Sequence, residues 1–168
     1  LTLIAKIDEL KGMWLASAKL HPQILNRLKQ SVLITSTGAS TRIEGARLSD
    51  EEIDKLMRGV SVKSWKDRDV QEVKGYFELL ENVFNSWNTL RFSENLIKHF
   101  HKELLKYAEK DVRHRGEYKT IENKVQMIGK DGKATGILFA TTPVYLTPAA
   151  MLSLVEWTRE SLQKKQYH

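Results

Sequence analysis

Asp67-Arg68-Asp69-Val70-Gln71-Glu72-Val73-Lys74-Gly75-Tyr76-Phe77-Glu78-Leu79-Leu80-Glu81-Asn82-Val83-Phe84-Asn85-Ser86-Trp87-Asn88-Thr89 is the longest periodic stretch of the chain. Val70, Val73, Phe77, Leu80, Phe84 and Trp87 recur at three- and four-residue steps, which places them on one stripe of an α-helix. The same period extends upstream. Leu3, Ile7, Leu10, Trp14 and Ala18 predict a helix over 3–19, and its stripe is expected to pack into a core rather than to serve a partner. Pro22 suits the first turn of a second helix, which Ile24, Leu28, Val32 and Thr35 carry to about Thr37. Ser49 followed by Glu52 forms a capping box, with Asp50, Glu51 and Glu52 on the positive end of a helix dipole. In that short helix Ile53, Leu56 and Met57 are expected to face the core, and Gly59 to close it.

Downstream, Ser93 can cap a helix bearing Leu96, Ile97, Phe100, Leu104 and Tyr107. Residues 115–140 then change character. Val125-Gln126-Met127-Ile128 and Ile137-Leu138-Phe139 flank Gly129-Lys130-Asp131-Gly132-Lys133, and Asp-Gly between two apolar runs predicts a β-hairpin. Thr147-Pro148 supplies an N-cap and first-turn proline for a last helix through Leu152, Val155 and Leu162. The expected fold is mainly α, a helical bundle with one protruding β-hairpin.

Composition narrows the function classes. The 168 residues include 27 Lys+Arg against 21 Asp+Glu, a net charge of +6, and no Cys. Without Cys there is no disulfide scaffold, no Cys-ligated metal site and no thiol nucleophile. No stretch approaches the roughly 18 consecutive apolar residues of a spanning helix, and residues 1–8 do not read as a signal peptide. A cytoplasmic protein without membrane contact is expected. The basic residues are interleaved with acids from Lys63 to Lys74 and from Lys98 to Lys119, so the charge argues for an ordinary solvated surface over nucleic-acid binding.

Familiar catalytic motifs fail on inspection. Gly132-Lys133 cannot be a phosphate loop, because Ala134 stands where Ser or Thr is needed and Met127 where the first glycine belongs. His99 and His101 point about 200° apart on a helix and cannot share a metal. The acids Asp50, Glu51, Glu52 and Asp54 are explained by the helix start without Mg²⁺. The run Ser40-Thr41-Arg42-Ile43-Glu44-Gly45 stands apart. On spacing alone it reads as a helix end, with Ser40 as a cap and Gly45 as a terminator.

The same run resembles the inhibitory motif of Fic-family (Fic/Doc) adenylyltransferases, [Ser/Thr]-x-x-x-Glu-[Gly/Asn], through Ser40, Glu44 and Gly45. Order and spacing downstream extend the resemblance over most of residues 30–168. Leu96-Ile97-Lys98-His99-Phe100-His101-Lys102-Glu103-Leu104-Leu105 is similar to the helix that opens the Fic core. Gly116-Glu117-Tyr118-Lys119 resembles the approach to the family's β-hairpin, and Thr142-Pro143-Val144 with Leu154-Val155-Glu156-Trp157 resembles the following helix. The family's catalytic loop, His-Pro-Phe-x-[Asp/Glu]-Gly-Asn-Gly-Arg, is nowhere in this sequence, and His168 is not its catalytic His. The absent loop, the first residue Leu1 and the uncapped end at His168 together give the expectation of a first part of a longer enzyme.

The resemblance implies a parent enzyme that transfers AMP from ATP, with Mg²⁺, to a Ser, Thr or Tyr hydroxyl of a protein substrate. It implies no catalytic residue in this chain, which alone is expected to be inactive and to hold neither ATP nor metal tightly. Glu44 is the implied autoinhibitory residue, with Ser40 bracing it and Gly45 ending the motif. The hairpin is the implied target-docking flap, assigned to Gly116, Tyr118, Lys119, Gln126, Met127, Ile128, Ile137, Leu138 and Phe139. Residues 1–90 form the implied N-terminal helical region and 91–168 the first part of the Fic core. A homodimer stays open. So do a de-AMPylating enzyme that uses Glu44 and a non-catalytic helical binding module, with nucleic acid as one of its ligands.

Overall fold

A computed structural model describes residues 2–16, 22–60 and 68–164. They form helices α1 (Thr2–Ala16), α2 (Pro22–Ile43), α3 (Asp50–Met57), α4 (Arg68–Ser86), α5 (Glu94–Leu104) and α6 (Thr147–Lys164). Strands β1 (Lys124–Ile128) and β2 (Ala134–Ala140) stand between α5 and α6. The mainly helical fold with a single described hairpin agrees with the sequence reading. Ala18, Lys63 and His168 lie outside the described residues.

The core forms where the C-terminal half of α2 meets α3 and α4. Leu33, Ala46, Leu48, Ile53, Leu56, Val70, Val73 and Phe77 are buried there, with Ile34, Met57 and Leu80 packed at its edge. α5 lies on the other side of α4, and Gly75 is what lets them approach. A Cβ at that position would run into the Leu104 carbonyl. α6 packs on α5, Val155 of α6 is buried, and Arg159 Nε donates to the Phe92 carbonyl at 2.9 Å.

The capping box forms as expected. Ser49 Oγ accepts from the Glu52 N–H at 3.2 Å, and the Glu52 carboxylate accepts from the Ser49 N–H at 2.8 Å. Gly59, at φ +74°, ends α3: its own N–H reaches the Leu56 carbonyl and the Val60 N–H the Lys55 carbonyl. Ser93 caps α5 by accepting from the Leu96 N–H.

Several expectations need correction. α2 continues to Ile43 instead of stopping near Thr37. The small, polar run is helical because its slim side chains fit against α3 and α4. Thr37, Gly38 and Thr41 are buried, and the Thr41 hydroxyl is satisfied within the helix by donating to the Thr37 carbonyl at 2.8 Å. The buried row of α2 is therefore Leu33, Thr37 and Thr41, while the expected Ile24, Leu28, Val32 and Thr35 are exposed.

The stripe of α1 is also exposed, with Leu3, Ile7, Leu10 and Trp14 each more than half accessible, and α1 packs on no other described element. On α4 the stripe is buried only as far as Phe77 and Leu80. Phe84 and Trp87 are exposed, Trp87 beyond the helix end. Tyr107 follows the end of α5, where its hydroxyl donates to the Glu78 carboxylate at 2.7 Å. Thr147 is not a cap. A 3₁₀ turn over Val144–Leu146 begins the coiling earlier, so Thr147 is already helical and its hydroxyl donates to the Pro143 carbonyl. Leu152 and Leu162 face outward on α6.

Candidate functional site

The residues of the Ser40–Gly45 run are brought to the point where α2 ends beside α4, with the end of α5 across a groove from them. Gly45 supplies the geometry of that end. At φ +99°, a conformation that costs residues with a Cβ about 1–2 kcal/mol, its N–H reaches the Arg42 carbonyl at 3.1 Å and the Ala46 N–H reaches the Thr41 carbonyl at 3.0 Å. This pair of hydrogen bonds turns the chain sharply and leaves Glu44 exposed on the rim. Ser40 sits one turn earlier inside the helix, half-buried, not capping it. Its Oγ accepts a hydrogen bond from the Tyr76 hydroxyl of α4 at 2.9 Å.

Together these residues line a groove of about 580 Å³. Ser40, Thr41, Ile43 and Glu44 form one wall, Arg68, Glu72 and Tyr76 of α4 another, and Leu104 and Leu105 the third. Arg68 Nε pairs with Glu72 at 2.6 Å within α4, whereas Glu44 accepts no hydrogen bond and forms no ion pair with any described residue. Among the described residues the groove thus offers one uncommitted carboxylate above a partly apolar floor, an arrangement that suits a cationic side chain. A larger groove of about 820 Å³ between α2, α3 and α4 is lined by Arg27, Gln30, Asp54, Arg58 and Glu81 and contains none of the expected site residues.

The hairpin residues fall into two groups. Gly116, Tyr118 and Lys119 form its root. The Gly116 N–H donates to His101 Nδ1 at 3.1 Å, and its φ of +74° beside the Lys98 carbonyl leaves no comfortable place for a Cβ. The Tyr118 ring lies under the Lys98 ammonium, 4.1 Å away, and its hydroxyl is buried without a well-formed hydrogen bond. Burial, and then the nearby Glu94 carboxylate, push its pKa up to about 12. Lys119 Nζ ties the two legs by donating to Asn123 Oδ1 at 2.8 Å and to Thr141 Oγ1 at 2.6 Å.

The second group projects. β1 and β2 pair antiparallel, with Gln126 opposite Ile137 and Met127 opposite Gly136, and with register shifts after Val125 and Met127. Gln126, Met127, Ile128, Ile137, Leu138 and Phe139 are all exposed, and the strands pack on each other and on no described helix. An apolar two-stranded ribbon with both edges open can accept an extended segment by main-chain pairing.

Sequence reading missed Arg42, Asp69, Glu72, Tyr76 and His101 as neighbours of these features. Their contacts join elements far apart in the chain, and only a helix-crossing geometry could reveal them. No three His, Cys, Asp or Glu side chains converge to hold a metal among the described residues. No described helix is long and apolar enough to cross a membrane.

No family model and no curated protein matches the chain. Its fold is similar to the crystal structure of a Fic domain containing signaling protein from Bacteroides thetaiotaomicron VPI-5482, with a TM-score of 0.79 over 96% of this chain and 22% identity. The likeness establishes a Fic-like fold. The chain spans 59% of the length of that protein.

Proposed function

We propose that this chain is the N-terminal regulatory and target-docking part of a protein adenylyltransferase, one that transfers AMP from ATP to a Ser, Thr or Tyr hydroxyl of a target protein. Residues 1–90 would regulate and 91–168 would open the core. The observation that carries the reading is the Glu44 carboxylate, unpaired among the described residues and held beside Ser40 on the rim of a groove by the Gly45 turn. The Fic-like fold supports it. Glu44 would act by pairing with an arginine of a phosphate-binding loop outside this chain, taking that cation away from the nucleotide. Ser40 would brace it through its bond with Tyr76.

When bound, ATP with Mg²⁺ would supply the AMP group in a charge-neutralised form. No residue of this chain is assigned to that metal. The exposed hairpin would dock the target, rooted by Gly116, Tyr118 and Lys119.

The test is Glu44→Gly in the full-length protein, assayed with radiolabelled ATP. Labelling should rise, and unchanged labelling would refute inhibition by Glu44. The same carboxylate supports a second reading, removal of AMP from a modified target with Glu44 orienting a water. Incubating the full-length protein with AMP-modified target separates the two directions.

A further inference from the structure

The turn that carries Glu44 is gripped from both sides by contacts that the motif itself does not contain. Arg42, two residues before Glu44, sends its guanidinium across the turn. Nη1 donates to the Leu48 carbonyl at 3.1 Å and pairs at 2.8 Å with Oδ1 of Asp50, the first residue of α3. On the other side the Arg47 N–H donates to Asp69 Oδ2 at 2.9 Å, in the first turn of α4. Gly38 makes room for the first contact, since a Cβ there would meet both the Asp50 carboxylate and the Arg42 guanidinium. Residues 43–48 are therefore anchored to two helices in addition to the Gly45 turn.

We propose that Arg42, with Asp50 and Asp69, is a positioning residue that holds Glu44 where it inhibits, so that loosening this clamp activates the enzyme without altering any reacting group. The proposal rests on the reading of Glu44 as autoinhibitory. The physical case is one of local order against global stability. The Arg42 and Asp50 side chains are 42% and 41% exposed, and exposed pairs add little to the stability of a whole fold. Ala46 and Leu48 of this loop are buried in the core, but Ile43, Glu44, Gly45 and Arg47 are exposed, and an exposed turn opens at lower free energy than the core. A clamp that bridges this segment therefore restrains Glu44 more than it stabilises the protein.

The experiment places Arg42→Ala and Asp69→Ala separately into the full-length protein, each with Glu44 intact and with Glu44→Gly. Amide exchange is read over residues 43–49 together with labelling by radiolabelled ATP and the thermal midpoint. The expected result is exchange of the Ala46 and Arg47 amides about tenfold faster or more. With Glu44 intact, labelling should rise about three- to tenfold. In the Glu44→Gly background neither change should raise labelling further, and the midpoint should stay nearly constant.

Unchanged exchange and labelling, with Glu44→Gly alone active, would overturn the clamp and leave the inhibitory reading standing. An equal rise in both backgrounds would also overturn it, since the residues would then act elsewhere than through Glu44. Faster exchange with a silent Glu44→Gly would instead sink the inhibitory reading, and the positioning role with it.

Discussion

At the scale of single residues, polar groups at helix ends decide much of the local geometry, and they do so through hydrogen bonds that titrate. The Ser49 N–H, and then the Ser49 hydroxyl, hold the Glu52 carboxyl below the usual carboxylate range. A depressed carboxylate contributes stability that is present above its unfolded value and is lost as pH falls through its folded value. Acidification through the carboxylate range should therefore weaken the start of α3. Urea midpoints between about pH 6 and pH 3 should fall less steeply for Glu52→Gln than for the parent. Identical slopes would show that the capping carboxylate carries none of the acid sensitivity. Ser49 and Glu52 were legible because a capping box is local, with both partners three residues apart. Arg42, Asp69 and Tyr76 were not, because their partners lie in other elements.

Among the elements, the hairpin separates two roles that its sequence presents as one. Its root is fixed by His101, Lys98 and the Lys119 tie, while its strands stand clear of the helices. Met127 and Ile128 are 48% and 64% exposed, so a charge there disturbs little packing. Met127→Asp or Ile128→Asp in the full-length protein should reduce target modification at least several-fold while the far-ultraviolet circular dichroism and thermal midpoint hold. Undiminished modification would exclude the strands from docking. The hairpin itself was readable from Asp131-Gly132 between apolar runs: Gly132 takes φ +75°, and its N–H closes the turn on the Gly129 carbonyl at 2.9 Å. The helix start at Thr147 was misread because the preceding 3₁₀ turn has no strong local signature.

Across the whole molecule, apolar surface is distributed unevenly. Among the described residues, α1, the first half of α2 and the hairpin expose their apolar side chains, while the main buried cluster joins α2, the loop after it, α3 and α4, with Ala108 and Val155 buried outside it. Mutational effects should divide along the same line. Val73→Ala removes two methyl groups from a fully buried site and should cost about 1–3 kcal/mol. Leu10→Glu on α1 should change stability by no more than about 0.5 kcal/mol. Chemical denaturation of the two variants checks this, and a large loss from Leu10→Glu would mean that α1 belongs to the cooperative unit.

Period, caps and turn chemistry were enough to establish a mainly helical chain with one hairpin, and the order of motifs pointed to a Fic-like arrangement. These features are written in residues within a few positions of one another, where backbone geometry alone relates them. Which apolar stripes are buried was decided only by tertiary packing. Leu33 and Val73 are sealed while Leu10 and Trp87, equally apolar and equally periodic, face solvent. Periodicity marks a face but does not supply the surface that must cover it. The groove at Glu44 has the same origin, since α2, α4 and α5 must cross before Ser40, Glu44 and Tyr76 can share it.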